Sequence, residues 1–142
     1  MKYSYKLSDA IHILAFLDIY KNGDLSSKMI ASSIETNAST VRSLMSDLKK
    51  AGLISTRQGS VNPALTRSAD QITLLDVYQA INMDHNLLHV DPKTNPQCVV
   101  GGNIQETLNA VYADIQESAF QKMALTSIQD IIDDVLERNQ VR

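Results

Sequence analysis

The stretch Val41-Arg42-Ser43-Leu44-Met45-Ser46-Asp47-Leu48-Lys49-Lys50-Ala51-Gly52-Leu53-Ile54 decides how the rest of the chain is read. Val41, Leu44, Met45, Leu48 and Ala51 recur at helical spacing, so one face of a helix is apolar. Asn37 or Ser39 precedes it as N-cap, because a short side-chain oxygen there accepts from an otherwise unpaired backbone N–H. Gly52 stands where the helix must stop, in the left-handed position that residues with a Cβ resist. With the apolar set buried, Ser39, Thr40, Arg42, Ser43, Ser46 and Lys49 face outward. Short hydroxyl side chains let a helix backbone approach another surface closely. Arg42 adds a planar fork that matches O6 and N7 of guanine.

The flanking patterns fix what this helix belongs to. Leu7, Ala10, Ile11, Leu14 and Leu17 predict a first helix with Ser8 as its N-cap, ending near Asn22-Gly23. Ser26 or Ser27 caps a short second helix carrying Met29, Ile30 and Ile34, and Glu35-Thr36-Asn37 breaks it. Downstream, Leu53 to Arg57 and Ala64 to Arg67 predict two short strands joined by a turn at Gln58-Gly59-Ser60-Val61-Asn62-Pro63. Thr73 starts a further helix with Leu74, Leu75, Val77, Tyr78 and Ile81 apolar. Residues 85–97 hold Pro92 and Pro96 and little periodicity, which predicts a loop. From Asn103 on the pattern is helical, with one stripe of Ile104, Leu108, Val111, Tyr112, Ile115 and Ala119 and another of Ile128, Ile131, Ile132, Val135 and Leu136.

Helix, short helix, tight turn, helix and hairpin is the order of a winged helix-turn-helix. In that unit the third helix enters the major groove and the second braces it. The expected fold class is mostly α with a small β-hairpin wing, a winged helix-turn-helix plus a long C-terminal dimerisation helix. Its organisation is a DNA-binding domain over 1–82, a loop over 83–102 and a helical dimerisation region over 103–142. The expected partner is double-stranded DNA, contacted by Ser39, Thr40, Arg42, Ser43 and Ser46. Tyr3, Ser4 and Lys6 at the N-terminus and Arg57 at the wing are further candidates for phosphate contacts. A dimeric protein-interaction adaptor that keeps this fold without binding DNA is the alternative.

Length and composition agree with this frame. A chain of 142 residues and 15.7 kDa makes one domain, or one domain with an arm. With 44% apolar and 20% charged residues it can build a core. Two Phe, five Tyr and no Trp disfavour a base-stacking single-strand binder. The net charge of −3 is unevenly spread. Residues 1–67 hold nine Lys/Arg against five Asp/Glu, and residues 68–142 hold four against eleven. Ordinary scatter of surface charge gives such an imbalance too. Here, however, the basic half is the half with a DNA-reading shape, and an acidic half limits indiscriminate binding. The longest early apolar run, Ile13 to Leu17, ends at Asp18, far short of the roughly 20 residues of a membrane span. No signal peptide is read at the N-terminus, and the expected location is the cytoplasm, with no membrane contact.

Residues 1–82 resemble the N-terminal domain of the Rrf-two family of bacterial winged-helix transcriptional regulators, the family of IscR, NsrR and CymR. The resemblance lies in Tyr3-Ser4, Ala10-Ile11-His12-Ile13-Leu14, Ser26-Ser27-Lys28-Met29-Ile30-Ala31, the stretch from Val41 to Ile54, and Ile72-Thr73-Leu74-Leu75-Asp76-Val77-Tyr78-Gln79-Ala80-Ile81. It continues through Asn95-Pro96-Gln97-Cys98-Val99-Val100-Gly101 and the long helix that follows, so it covers nearly the whole chain. The resemblance implies a homodimeric transcription factor, a repressor in our reading, whose long C-terminal helix pairs with its mate. Two departures stand out. The family's wing is usually glycine-rich, whereas here it reads Gly59-Ser60-Val61-Asn62-Pro63-Ala64. The iron–sulfur members carry a set of cysteines in the loop before the long helix, whereas this chain has only Cys98. One thiolate per chain cannot hold a four-ligand cluster, which implies a clusterless branch with no cofactor.

Cys98 lies in a Pro-containing loop just before the long helix, and thiolates are stabilised near helix N-termini. It is therefore the candidate redox-sensing residue, open to oxidation or to electrophiles. The competing reading makes it a small packing residue without chemistry. His85 and His89 are four apart, but no carboxylate is arranged with them and zinc spacings are missing, so no metal is expected. A nucleophilic enzyme built on Cys98 and His89 lacks an orienting third residue, so no catalytic residue is assigned. The small-molecule effector, if the regulator uses one, is unspecified. Ile104, Leu108, Val111 and Ile115 form the expected dimerisation stripe, unless the 128–136 segment folds back to cover it.

Overall fold

The computed structural model describes residues 4–56, 62–81 and 86–141. Its elements are α1 (Lys6–Ile19), α2 (Ser27–Ile34), α3 (Ala38–Lys50), β1 (Ile54–Thr56), β2 (Pro63–Leu65), a 3-10 turn (Ala69–Gln71), α4 (Leu74–Ala80), α5 (Ile104–Leu125) and α6 (Ile128–Val141). The chain divides into two compact units, Met1–Met83 with Met123–Arg142, and Asp84–Lys122. The mostly helical fold with one small antiparallel hairpin is the one the sequence predicts.

In the larger unit, the apolar faces of α1 to α4 converge. Ile13, Leu14 and Leu17 of α1 meet Ile30 of α2, Val41 and Leu48 of α3, and Val77 of α4, all fully buried or nearly so. Burying each such side chain contributes roughly 1.5–3 kcal/mol relative to exposure. Helix α1 begins earlier than predicted. Tyr5 occupies its N-cap without a side-chain bond, and Ser8 lies inside the first turn, not at its start. Ser4 takes over the capping task, its Oγ accepting from the Lys6 N–H at 3.2 Å.

The helix-turn-helix ends are set by local chemistry. Ser26 Oγ accepts from the Met29 N–H at 3.2 Å, and Asn37 Oδ1 accepts from the Thr40 N–H at 2.8 Å. Ser26 and Asn37 are thus the caps, and Ser27 and Ser39 are helical. Helix α2 closes on Glu35 in the left-handed region, at φ 62°. Helix α3 closes on Gly52 at φ 78°. There the Leu53 N–H reaches Leu48 O and the Gly52 N–H reaches Lys49 O, both at 3.0 Å. This is a Schellman motif, and its apolar partners Leu48 and Leu53 are both buried.

Strands β1 and β2 pair Ile54 with Leu65, Ser55 with Ala64 and Thr56 with Pro63. Pro63, expected in the turn, is the first residue of β2, where its missing N–H is tolerated. Of the turn predicted over Gln58 to Pro63, residues 58–61 lie outside the described residues. Arg67 donates from Nε to Gln71 O at 2.8 Å and from Nη2 to Asp76 Oδ2 at 2.9 Å, so this cation of the basic half is already engaged.

Residues 103–142, predicted as one dimerisation region, form two helices separated at Thr126-Ser127. Helix α6 belongs to the larger unit, with Ile128 fully buried and Ile132 nearly so in the same core as α1. The cause is a capping box. Ser127 Oγ accepts from the Asp130 N–H at 3.0 Å while Asp130 Oδ2 accepts from the Ser127 N–H at 2.9 Å. That box starts a new helix at Ile128.

The smaller unit is the loop of residues 86–103 with the body of α5. A tight turn forms at Asn95 to Gly102, where Gln97 N–H meets Asn95 Oδ1 at 2.9 Å and Gly102 N–H meets Cys98 O at 2.8 Å. Gly101 is required there, since a Cβ on it would sit 2.4 Å from Asn95 O. No residue of α5 is buried.

Candidate nucleic-acid interface

The candidate surface is built on α3. Its N-terminus is fixed by Asn37, its C-terminus by Gly52, and its inner face by Val41, Leu44 and Leu48. Ser39, Arg42, Ser43, Ser46 and Lys49 are then exposed, as expected from the stripe. Thr40 is half-buried, and its hydroxyl donates to Asn37 Oδ1 at 3.0 Å, so its first task is to brace the cap.

Arg42, Ser46 and Lys49 form one wall of a groove of about 450 Å³. The opposite walls come from Ser26 and Ser27 at the start of α2 and from Ser55, Thr56 and Pro63 of the hairpin. Lys49 Nζ donates to Thr56 Oγ1 at 3.1 Å, tying α3 to the wing. Sequence reasoning missed Ser26, Ser27, Ser55 and Thr56 as neighbours of Arg42. The two hydroxyl pairs were visible in the sequence, but only the fold brings them to one groove. A row of hydroxyls with an arginine and a lysine, and no acidic residue among its lining side chains, suits a polyanion that offers phosphate oxygens and base edges.

Ser4 and Lys6 are exposed near the start of α1, with the Ser4 hydroxyl engaged by the Lys6 N–H. Tyr3, Arg57 and His85 lie outside the described residues. His12 is half-buried and its Nε2 pairs with Ser33 Oγ at 2.8 Å, joining α1 to α2.

In the smaller unit, Cys98 is a free, exposed thiol. The backbone N–H of Gly101, and after it that of Val100, hydrogen-bonds the sulfur and holds its pKa below the ordinary thiol value. On α5, Ile104 and Leu108 are half-buried, while Val111 and Ile115 are 48% and 47% exposed. Among the described residues, no three His, Cys, Asp or Glu side chains gather as a metal site, and no helix is long and apolar enough to cross a membrane.

Known proteins are similar to this chain in sequence and in fold. Residues 3–134 match the model of the Rrf2 (Rrf-two) family, described as iron-dependent transcriptional regulators. The Bacillus subtilis protein YwnA, named as an HTH-type transcriptional regulator, is 34% identical over 127 residues, spanning 89% of this chain and 94% of its own. A crystal structure described as that of a DNA-binding protein superposes with a TM-score of 0.71 at 32% identity, over 89% of this chain and 98% of its own. CymR, the global cysteine regulator of Bacillus subtilis, shares the fold with a TM-score of 0.68 at 20% identity, over 94% and 97% of the two chains. The iron in the family description finds no matching donor set among the described residues. Cys98 is the chain's sole cysteine, and it sits in a turn with its sulfur bonded by backbone amides.

Proposed function

Because the chain belongs to the Rrf2 family of transcriptional regulators, we propose that it binds double-stranded DNA as a homodimer and represses transcription, with Cys98 receiving the signal. The observation that carries this reading is the groove of Arg42, Ser46 and Lys49 on α3, faced by hydroxyls of α2 and the wing. Arg42 is exposed and makes no side-chain hydrogen bond or ion pair among the described residues, and it reads a guanine edge or clamps a phosphate. The serines let the helix backbone settle against the sugar–phosphate walls. The regulatory role requires no turnover by the chain.

The apolar stripe on α5 supports the dimer. A helix of 22 residues that buries none of them leaves Val111 and Ile115 in water, and a two-fold mate covers them. Two recognition helices then meet half-sites about 34–36 Å apart, so a small change in dimer geometry is costly. Cys98 supports the signalling step. Its sulfur is exposed and its thiolate is favoured by two backbone amides, which suits reaction with an oxidant or an electrophile. In the oxidative branch a peroxide takes the thiolate to a sulfenic acid and leaves as water or alcohol. The added bulk and polarity displace the turn before α5.

The test is a gel shift on the gene's own upstream region, across a salt series, before and after mild peroxide treatment, for the native protein and Cys98→Ser. Binding is expected to weaken with salt and with peroxide in the native protein, and with salt alone in the variant. A reporter driven by that region is expected to rise when the protein is deleted. No binding to any upstream fragment favours the adaptor reading. Equal binding before and after, with Cys98 shown modified by mass spectrometry, ends the sensing reading alone.

A further inference from the structure

Helix α5 carries two stripes offset by one residue. Ile104, Leu108, Val111 and Ile115 make the apolar one. Gln105, Asn109, Tyr112 and Gln116 repeat the same spacing one position on, and all four are polar. This second stripe borders a cleft of about 520 Å³ whose other wall is the loop of residues 86–92. That volume lies within the ~300–1,000 Å³ usual for small-molecule sites.

The cleft is held open by its own wall. Gln116 Oε1 accepts from the Leu87 N–H at 2.7 Å, and Gln105 Nε2 donates to Asp91 O at 3.0 Å. These bonds fix the loop against the helix, so a ligand meets a preformed surface and bears little ordering cost. They also leave the other half of each carboxamide, Gln105 Oε1 and the Gln116 NH₂, for a ligand. The Asn109 carboxamide and the Tyr112 hydroxyl line the same cleft and make no side-chain hydrogen bond among the described residues.

The chemistry of these groups selects the ligand. No Lys or Arg lines the cleft, so a phosphate or carboxylate finds no fixed positive charge there. Asp91 Oδ1 is already bonded by the Lys93 N–H at 2.9 Å. What remains close together is the Asn109 carboxamide, a donor beside an acceptor, with the Tyr112 hydroxyl one turn on, a pair matched to an N–H next to a C=O. The free halves of Gln105 and Gln116 stand at the two ends of the stripe, and His89 and the second Asp91 oxygen complete the polar lining. Leu88, Val90 and the Tyr112 ring add apolar flank for a flat molecule. We propose that this cleft binds a small uncharged ring compound carrying an amide, within the ring as in a nucleobase or attached to it, as an effector of the regulator. The effector role rests on the DNA-binding reading, whereas the binding step stands by itself.

The test is an NMR titration of the full-length protein with uracil and with nicotinamide, using phosphate and acetate as charged controls. The side-chain amide signals of Gln105, Asn109 and Gln116 are expected to shift and saturate with uracil or nicotinamide, and to stay in place with phosphate and acetate. Asn109→Leu, on an exposed helix position, is expected to weaken that titration about ten-fold, the loss of one good hydrogen-bonding pair. Tyr112→Phe serves as the second variant, should Asn109→Leu alter the circular dichroism. Silence of those signals with both probes, an unchanged titration in both variants, or equal shifts with phosphate overturns the proposal. Operator binding is measured on the same samples. DNA binding with no response to either probe sinks the cleft and spares the regulatory reading. Response to a probe with no DNA binding does the reverse.

Discussion

Thr73 and Ser127 face each other as an isolated antiparallel bridge, and each is the N-cap of its own helix. The Leu74 N–H donates to Thr126 O at 2.9 Å, and the Ile128 N–H donates to Ile72 O at 2.8 Å. Both caps are capping boxes, closed by Asp76 and by Asp130. The starts of α4 and α6 are thereby joined, and the chain's last helix becomes part of the core of its first 81 residues.

Removing that helix should therefore harm the N-terminal unit. Ile128→Ala leaves a cavity at a fully buried position and is expected to cost about 2–5 kcal/mol. Urea unfolding followed by circular dichroism measures it. A loss well under 1 kcal/mol would mean that α6 is not packed in the core.

The two left-handed residues that end α2 and α3 give opposite predictions. Glu35 carries a side chain at φ 62°, which costs roughly 1 kcal/mol that glycine avoids. Glu35→Gly is thus expected to raise the melting temperature. Gly52→Ala is expected to lower stability by about 1 kcal/mol from φ alone, because the added Cβ would meet nothing within 4 Å. Thermal unfolding of the two variants checks both signs.

Arg42→Ala is expected to weaken operator binding by at least about 1 kcal/mol without changing the melting temperature, since Arg42 is exposed. A fall of about one in the salt slope marks a phosphate contact; an unchanged slope with relaxed sequence preference marks a base contact. Affinity and slope both equal to the native protein would place the interface elsewhere.

The amide-bonded Cys98 sulfur sets a pH signature. Because its pKa is lowered, the thiolate is present at pH values where an ordinary cysteine is still protonated. Alkylation by iodoacetamide should thus rise at a lower pH than for a blocked cysteine, N-acetylcysteinamide, in the same buffer. Gly101→Ala, which drives a Cβ into Asn95 O, is expected to disturb the turn and move that rise back up. A native profile at or above that of the blocked cysteine contradicts the amide contact.

Val111→Glu and Ile115→Glu place a charge on the exposed stripe of α5 and are expected to split the dimer while leaving helix content intact. Sedimentation at micromolar concentration reads this directly. A native species at 15.7 kDa would remove the homodimer from the proposal.

The sequence by itself determined the helix-turn-helix. Periodicity in α1, α2 and α3, short capping side chains and Gly52 are all local, and local chemistry acts on neighbours along the chain. The outward face of α3 was legible for the same reason, because burying one stripe leaves the opposite one exposed. The start of α1 was missed because Ser8 looks like a cap while the actual N-cap, Tyr5, has no capping side chain and leaves no local signal. The break at Thr126-Ser127 was missed although Ser127 and Asp130 spell a capping box. The stripe of α5 and the stripe of α6 follow each other with no Gly or Pro between them, so the sequence reads as helix throughout. Only the tertiary structure decided which hydroxyls stand across from Arg42, that Arg67 is paired with Asp76, and that α6 returns to the core. Each of these joins residues far apart in the chain, and their meeting is set by how apolar faces pack together. No local pattern encodes it.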